Sequence, residues 1–133
     1  ALFMPLIMAM AGNVGVQSSS IVVQGLANNS ISNAGLWKAL GKELAVAFIN
    51  GLVCSALLMG YGYIFGNSSV IMITVSIALF SVILLAAIIG TTVPLTLDKL
   101  KIDPALATGP FITTSNDLIG LFLYFLIGNA ILG

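Results

Sequence analysis

One acidic side chain lies deep inside a long apolar segment near the end of the chain. Asp117 follows Pro104 by 13 residues, which at 1.5 Å per residue of helix is about 20 Å, close to the middle of a bilayer. Small or oxygen-bearing residues share its helical face: Gly109, Thr113, Gly120 and Tyr124. A carboxylate at that depth is costly without water, donors or a counter-charge, so such residues usually mark ion pathways. The alternative is a protonated Asp117 hydrogen-bonded to a neighbouring helix.

A second polar stripe lies in the first apolar segment. Its members are spaced to share one face of a helix: Asn13, Gln17, Ser20 and Gln24. Gly12 and Gly15 flank this stripe and would leave backbone carbonyls accessible to a hydrated ion. Two polar stripes on adjacent helices would enclose a water-filled cleft, although small-residue packing with amide hydrogen bonds would also explain the first stripe.

The ligand atoms available on these two stripes are all oxygens. Carboxylate, amide, hydroxyl and carbonyl oxygens suit Mg²⁺ or Ca²⁺. The chain has no histidine, and its single cysteine, Cys54, lies in an apolar run where we expect it to fill space. Because one carboxylate is too little charge for a dication, we predict a homodimer in which a second Asp117 faces a pore near the symmetry axis. Mg²⁺ would be held there mostly through its waters.

Four apolar segments must position these residues. Hydrophobic residues make up 59% of the chain and charged residues 6%, and a chain of 133 residues could not bury so much apolar surface in water. Segments long enough to span a bilayer cover about 2–27, 37–65, 69–97 and 104–132. Pro104 suits the first turn of a helix, with Asp103 as its N-cap. We predict an all-α polytopic integral membrane bundle, with residues 1–133 as one ion-conducting domain.

Charge placement predicts the orientation and excludes one class of partner. The lysines lie only at the first and third connections: Lys38, Lys42, Lys99 and Lys101. Positively charged loops favour the cytoplasm, which places residues 28–36 and 98–103 there and the turn at 66–69 outside. Lys42 and Glu43, at the cytoplasmic end of the second span, are expected to form an interfacial pair in preference to lining the pore. With zero net charge and no basic patch, the chain is not expected to bind nucleic acid.

Several of these residues form patterns that resemble a known family. The patterns are Pro5, GNVGVQS at 12–18, Gly25 to Ala27, Lys42-Glu43, and DPALATGPFITTSND at 103–117. Together they resemble the transmembrane domain of the MgtE family of Mg²⁺ channels and transporters, which is related to the eukaryotic SLC41 carriers. The resemblance extends over nearly the whole chain.

The resemblance implies a homodimer of five-helix domains, in a bacterial plasma membrane, whose last helix binds Mg²⁺ through the residue matching Asp117. It also implies that residues 5–17 line the pore. Only four spans are visible, so we expect the family's first helix, and its cytoplasmic Mg²⁺-sensing domains, to be missing from this chain. The metal-binding residues that we predict are Gly12, Asn13, Gln17, Gly109, Thr113, Asn116 and Asp117. Asn116 ranks lowest because adjacent helical residues point about 100° apart.

Three alternatives to a Mg²⁺ channel are considered. The same site could serve a Na⁺-coupled Mg²⁺ exchanger, and the sequence does not separate the two. A structural membrane subunit would predict that Asp117→Asn leaves transport intact. An intramembrane aspartyl protease would need two embedded acids that share a proton. Since only Asp117 is so placed, we predict a transporter and not an enzyme.

Overall fold

The computed structural model describes residues 2–28 and 33–133, with the backbone alone at 33, 34 and 36. It contains four long helices: α1 (Met4–Ala27), α2 (Asn33–Ile64), α3 (Ser69–Lys99) and α4 (Pro110–Leu132). No strand occurs within the described residues. Four helical segments, the last counted from Pro104, are long and apolar enough to cross a membrane. The predicted all-α helical membrane bundle is therefore confirmed.

The last span differs from the prediction because it is not one continuous helix. A short 3-10 helix, Pro104–Ala107, is separated from α4 by Thr108 in an extended conformation and by Gly109 at φ 70°. Pro110 explains the break, because a proline disfavours helical geometry in the residue before it and has no N–H to continue the ladder. Gly109 accepts the positive φ without a Cβ clash.

The predicted N-cap at Asp103 is present, but it caps the short helix and not α4. Its Oδ1 accepts a hydrogen bond of 3.0 Å from the backbone N–H of Ala105. The predicted connection at 28–36 is also shorter than expected, because α2 begins at Asn33. Residues 29–32 of that connection lie outside the described part of the chain.

The other two connections are tight turns, as predicted. Gly66 has φ 69°, and the N–H of Asn67 donates back to the carbonyl of Gly62 at 2.9 Å. At the end of α3, Lys101 has φ 59° and the N–H of Ile102 donates to Leu97 at 2.9 Å. Helices α2 and α3 thus each end in a residue with left-handed backbone geometry, and the hydrogen bonds there satisfy carbonyls that would otherwise be unpaired.

Helix α3 is the centre of the bundle. It packs against each of the other long helices, whereas α1 and α2 hardly touch each other. It is also the most apolar span, with a mean hydropathy of 2.8 over 18 of its residues. Its buried side chains form most of the core: Met72, Val75, Ala78, Leu79, Val82, Ile83, Ala86 and Ala87. Three side chains from α1 and two from α2 complete the core: Ile7, Ala11, Val14, Ala47 and Leu58. The positions of α1 and α4 are therefore both set by α3.

Small residues allow α3 to approach its neighbours closely. A Cβ atom added to Gly90 of α3 would lie 2.5 Å from the carbonyl oxygen of Gly15 in α1. On the other side, the Ser55 hydroxyl donates to the Ser76 carbonyl at 3.1 Å, linking α2 to α3. In lipid, where apolar surface gives little drive for association, such close packing and hydrogen bonding hold helices together.

Candidate functional site

Helices α1 and α4 together border an opening on the surface of the chain. Its volume is about 390 Å³, and eight residues line it: Met8, Ala9, Gly12, Asn13, Val16, Gln17, Thr113 and Asp117. Five of the seven predicted metal-binding residues are in this group. The two polar stripes noted in the sequence therefore do meet at one cleft.

Gly12 of α1 lies close to Asp117 and Thr113 of α4. A Cβ atom added to Gly12 would lie 3.4 Å from Oδ1 of Asp117 and 3.4 Å from Cγ2 of Thr113. Because Gly12 has no side chain, the carboxylate lies against the backbone of α1. Asp117 is half-buried, and Asn13 and Gln17 are exposed. A cation in the cleft would meet a carboxylate on one wall and amide oxygens on the other.

Thr113 is oriented by its own helix. Its hydroxyl donates to the carbonyl of Gly109 at 3.0 Å, which satisfies the hydroxyl proton and leaves oxygen lone pairs free to accept. Gly109 does not line the cleft. It is the N-cap of α4 and sets the direction in which that helix begins. Gly109 therefore positions Thr113 and Asp117 through the start of α4.

Asn116 lies away from the cleft. Its side chain is 2% exposed and packs on Gly15, where an added Cβ atom would overlap the amide nitrogen Nδ2. Nδ2 has no hydrogen-bond partner. The angle between adjacent helical residues accounts for this placement: with Asp117 facing the cleft, Asn116 faces the interior between α1 and α4. The structure does not bring Asn116 to the other predicted metal-binding residues.

The remaining residues of the two polar stripes lie outside the cleft. Ser20 and Gln24 are exposed on α1 beyond the cleft. On α4, Gly120 packs against Val82 and Ala11, and Tyr124 is partly buried against the core. Only the central part of each stripe forms the candidate site. Met8, Ala9 and Val16, which complete its lining, carry no polar atom that could have indicated them in the sequence.

Glu43 is the residue whose surroundings differ most from the expectation. The predicted interfacial pair with Lys42 is absent, since Lys42 is exposed while Glu43 is 9% exposed and turned toward α1. One of its carboxylate oxygens, Oε2, accepts a hydrogen bond of 3.0 Å from the Ser18 hydroxyl. The depth of Glu43, six residues beyond Trp37 in a membrane span, was the only sequence feature that could have indicated burial.

The site has the chemistry of a weakly coordinating cation cleft. Within the described residues, no group of three or more His, Cys, Asp or Glu side chains is placed to hold a metal. A cation in the cleft would therefore be attracted by one carboxylate, and amide, hydroxyl and carbonyl oxygens or water would complete its shell. Such a shell suits a hard cation that keeps much of its hydration.

Comparison with known proteins agrees with this chemistry. The sequence model of the MgtE family, described as "Divalent cation transporter", matches residues 4–127. The chain is 35% identical over 130 residues to the magnesium transporter MgtE of Bacillus subtilis, covering 98% of this chain and 29% of the relative. It is 31% identical over 129 residues to the magnesium transporter MgtE of Enterococcus faecalis, covering 97% of this chain and 28% of the relative.

A relative from Thermus thermophilus, also named magnesium transporter MgtE, is 29% identical over 132 residues, covering 99% of this chain and 29% of the relative. The chain thus spans less than a third of the length of these relatives. The family match nevertheless includes α1 and most of α4, the two helices that form the cleft. This integral membrane chain belongs to the MgtE family of divalent cation transporters.

Proposed function

We propose that this chain conducts Mg²⁺ across the membrane, with Asp117 as the main group that attracts the ion. The observation that carries the proposal is the position of the Asp117 carboxylate opposite Gly12, in a cleft whose other polar lining is Asn13, Gln17 and Thr113. Gly109 and Asn116 act indirectly in this proposal, through the position of α4, because neither lines the cleft. The transported substrate is a cation, and no chemical reaction is involved.

The size and chemistry of the cleft favour a hydrated dication. Mg²⁺ loses its waters reluctantly and is commonly bound through one or two carboxylates with several waters retained. A cleft of about 390 Å³ leaves room for such a shell. The names of the relatives, which are magnesium transporters, support Mg²⁺ as the substrate here.

The exposure of the cleft supports a homodimer. Asn13 and Gln17 are exposed on a single chain, in a helix that spans the membrane. Amide side chains that face hydrocarbon without partners are costly. A second copy packed on this face would cover the amides and bring a second Asp117 to a shared pathway, so that two carboxylates balance one Mg²⁺. In this arrangement residues 28–36 and 98–103 lie in the cytoplasm, and the membrane is the bacterial plasma membrane.

The proposal is tested by Mg²⁺ flux into proteoliposomes. Asp117→Asn keeps the shape of the side chain and removes its charge, so we expect flux to fall about ten-fold or more. Asp103→Asn is the matched control, because Asp103 is exposed at a turn, and its flux should stay near wild type. Unchanged flux in Asp117→Asn, with wild-type elution in size-exclusion chromatography, would refute the proposed role.

Two further arms of the same experiment address the mechanism. Flux that depends on an opposing Na⁺ gradient would indicate a Na⁺-coupled exchanger, and flux without that dependence would indicate a channel. A tethered dimer with Asp117→Asn in one copy should transport less than the wild-type tethered dimer if both carboxylates share one pathway. Full activity of that dimer would contradict the shared pathway.

A further inference from the structure

Glu43 is a buried carboxylate that the proposed Mg²⁺ pathway does not use. It lies in α2, six residues beyond Trp37, or about 9 Å into the span. Its side chain is 9% exposed, and its carboxylate accepts a hydrogen bond of 3.0 Å from the Ser18 hydroxyl. No lysine in the described part of the chain forms an ion pair with it. A buried carboxylate without a counter-charge is costly inside a membrane, so a bound cation would stabilise it.

A small cavity lies beside this carboxylate, between α1 and α2. Its volume is about 10 Å³, the size that holds one water molecule or one small ion. Besides the Glu43 carboxylate, its polar lining is one hydroxyl and two amides, from Ser18, Gln17 and Asn50. Like the main cleft, this cavity offers only oxygen atoms as strong ligands. It differs from the cleft in its volume, about 10 Å³ against about 390 Å³.

We propose that Glu43, Ser18, Gln17 and Asn50 form a second cation site, which binds Na⁺. One carboxylate balances one positive charge, and neutral hydroxyl and amide oxygens replace the waters that the ion loses. Mg²⁺ is excluded because it would have to shed most of its hydration to enter so small a cavity. The larger K⁺ ion is disfavoured for the same lack of space.

Gln17 connects this second site to the Asp117 cleft, because it lines both cavities. Ser18, beside Glu43, follows Gly12, beside Asp117, by six residues, which is about 9 Å along α1. Na⁺ at Glu43 engages the Gln17 amide and adds positive charge near the cleft, so Na⁺ binding weakens Mg²⁺ binding. By linkage, Mg²⁺ weakens Na⁺ binding by the same factor. This coupling rests on the proposed function of the cleft, whereas Na⁺ binding at Glu43 does not.

Binding of ²²Na⁺ to the purified protein, in Mg²⁺-free buffer with choline as the balancing cation, tests the site directly. We expect saturable binding that unlabelled Na⁺ displaces and that equal K⁺ does not. Glu43→Gln should abolish it, and Ser18→Ala and Asn50→Ala should each weaken it several-fold. Lys42→Gln is the matched control, because Lys42 adjoins Glu43 in the sequence but is exposed, and it should bind Na⁺ as wild type does.

The absence of saturable Na⁺ binding in the wild-type protein would overturn the proposal without any variant. Unchanged Na⁺ binding in Glu43→Gln would also overturn it. Loss of Na⁺ binding in Asp117→Asn together with retained binding in Glu43→Gln would do the same. The two proposals can fail separately. If Asp117→Asn keeps both wild-type Mg²⁺ flux and ²²Na⁺ binding, the Asp117 pathway is refuted and the Glu43 site is retained. Mg²⁺ binding several-fold tighter in choline than in Na⁺ would support the coupling, and equal affinities would refute it.

Discussion

Gly12 of α1 lies opposite Asp117 of α4, with room between them for one methyl group and little more. Because Gly12 has no side chain, the carboxylate faces bare backbone. A hydrated ion does not fit between the two residues and would approach the carboxylate from the open side of the cleft. The size of the residue at position 12 should decide how closely an ion approaches Asp117.

Substitution at Gly12 should change transport without unfolding the protein. A methyl at 3.4 Å from Oδ1 of Asp117 is an ordinary contact, so Gly12→Ala should fold normally. The methyl takes the place of water next to the carboxylate, and we expect Mg²⁺ flux in proteoliposomes to fall several-fold. Gly41→Ala is the control, since nothing lies within 4 Å of its added Cβ. Wild-type flux in Gly12→Ala would show that ions do not pass this contact.

Gly15 and Asn116 should be energetically coupled. A Cβ atom on Gly15 overlaps the Asn116 amide, so Gly15→Ala should destabilise the fold by about 2 kcal/mol, a usual cost of overpacking. Shortening Asn116 to Ala makes room, and the double variant should recover part of that loss. The measurement is a double-mutant cycle of unfolding free energies in detergent. Strictly additive effects would mean that the two side chains do not meet.

Gly109 should be sensitive to substitution although it does not line the cleft. Its backbone, at φ 70° and ψ −136°, lies where only glycine is comfortable, so Gly109→Ala should cost about 1–3 kcal/mol of strain. Relief of that strain would move the start of α4 and with it Thr113 and Asp117. We expect lower Mg²⁺ flux and a lower melting temperature. Gly128→Ala, at an open helical position of α4, should change neither. A Gly109→Ala variant with wild-type flux and melting temperature would contradict this role.

Divalent cations should inhibit Mg²⁺ flux more strongly than monovalent cations. If Asp117 attracts the ion electrostatically, external Ca²⁺ or Mn²⁺ should reduce Mg²⁺ flux in a dose-dependent way. K⁺ at the same concentration should have little effect because it carries half the charge. The measurement is initial Mg²⁺ flux at constant ionic strength, with choline replacing the competitor. Equal inhibition by K⁺ and Ca²⁺ would indicate general screening and not a divalent site.

The spans and the two turn connections could be predicted because they depend on hydropathy and local turn chemistry. The membrane spans follow from the length of the apolar segments, and the cap at Asp103 from its position before Pro104. Helical periodicity within each span predicted that Asn13 and Gln17 share one face and that Thr113 and Asp117 share another. These features need no knowledge of how the helices pack.

The remaining features depend on contacts between distant parts of the chain. Glu43 is 25 residues from its partner Ser18, and no local pattern indicates which way its helix is rotated. The break before α4 was missed because Pro104 and Pro110 both suit the start of a helix. The longer apolar run favoured Pro104, whereas the structure uses Pro104 to start the short helix and Pro110 to start α4.

The apolar character of α3 has a consequence for membrane insertion. Over 18 residues of each span, the mean hydropathy is 2.8 for α3 and 1.5 for each of the spans that build the cleft, Met4–Ala27 and Pro104–Leu132. A weakly apolar span that carries amides or a carboxylate partitions poorly into lipid alone and gains from a partner helix. Because α1 is synthesised before α3, we expect it to stay beside the insertion machinery until α3 arrives. The cleft between α1 and α4 is then completed only when α4, which follows α3 in the chain, joins them.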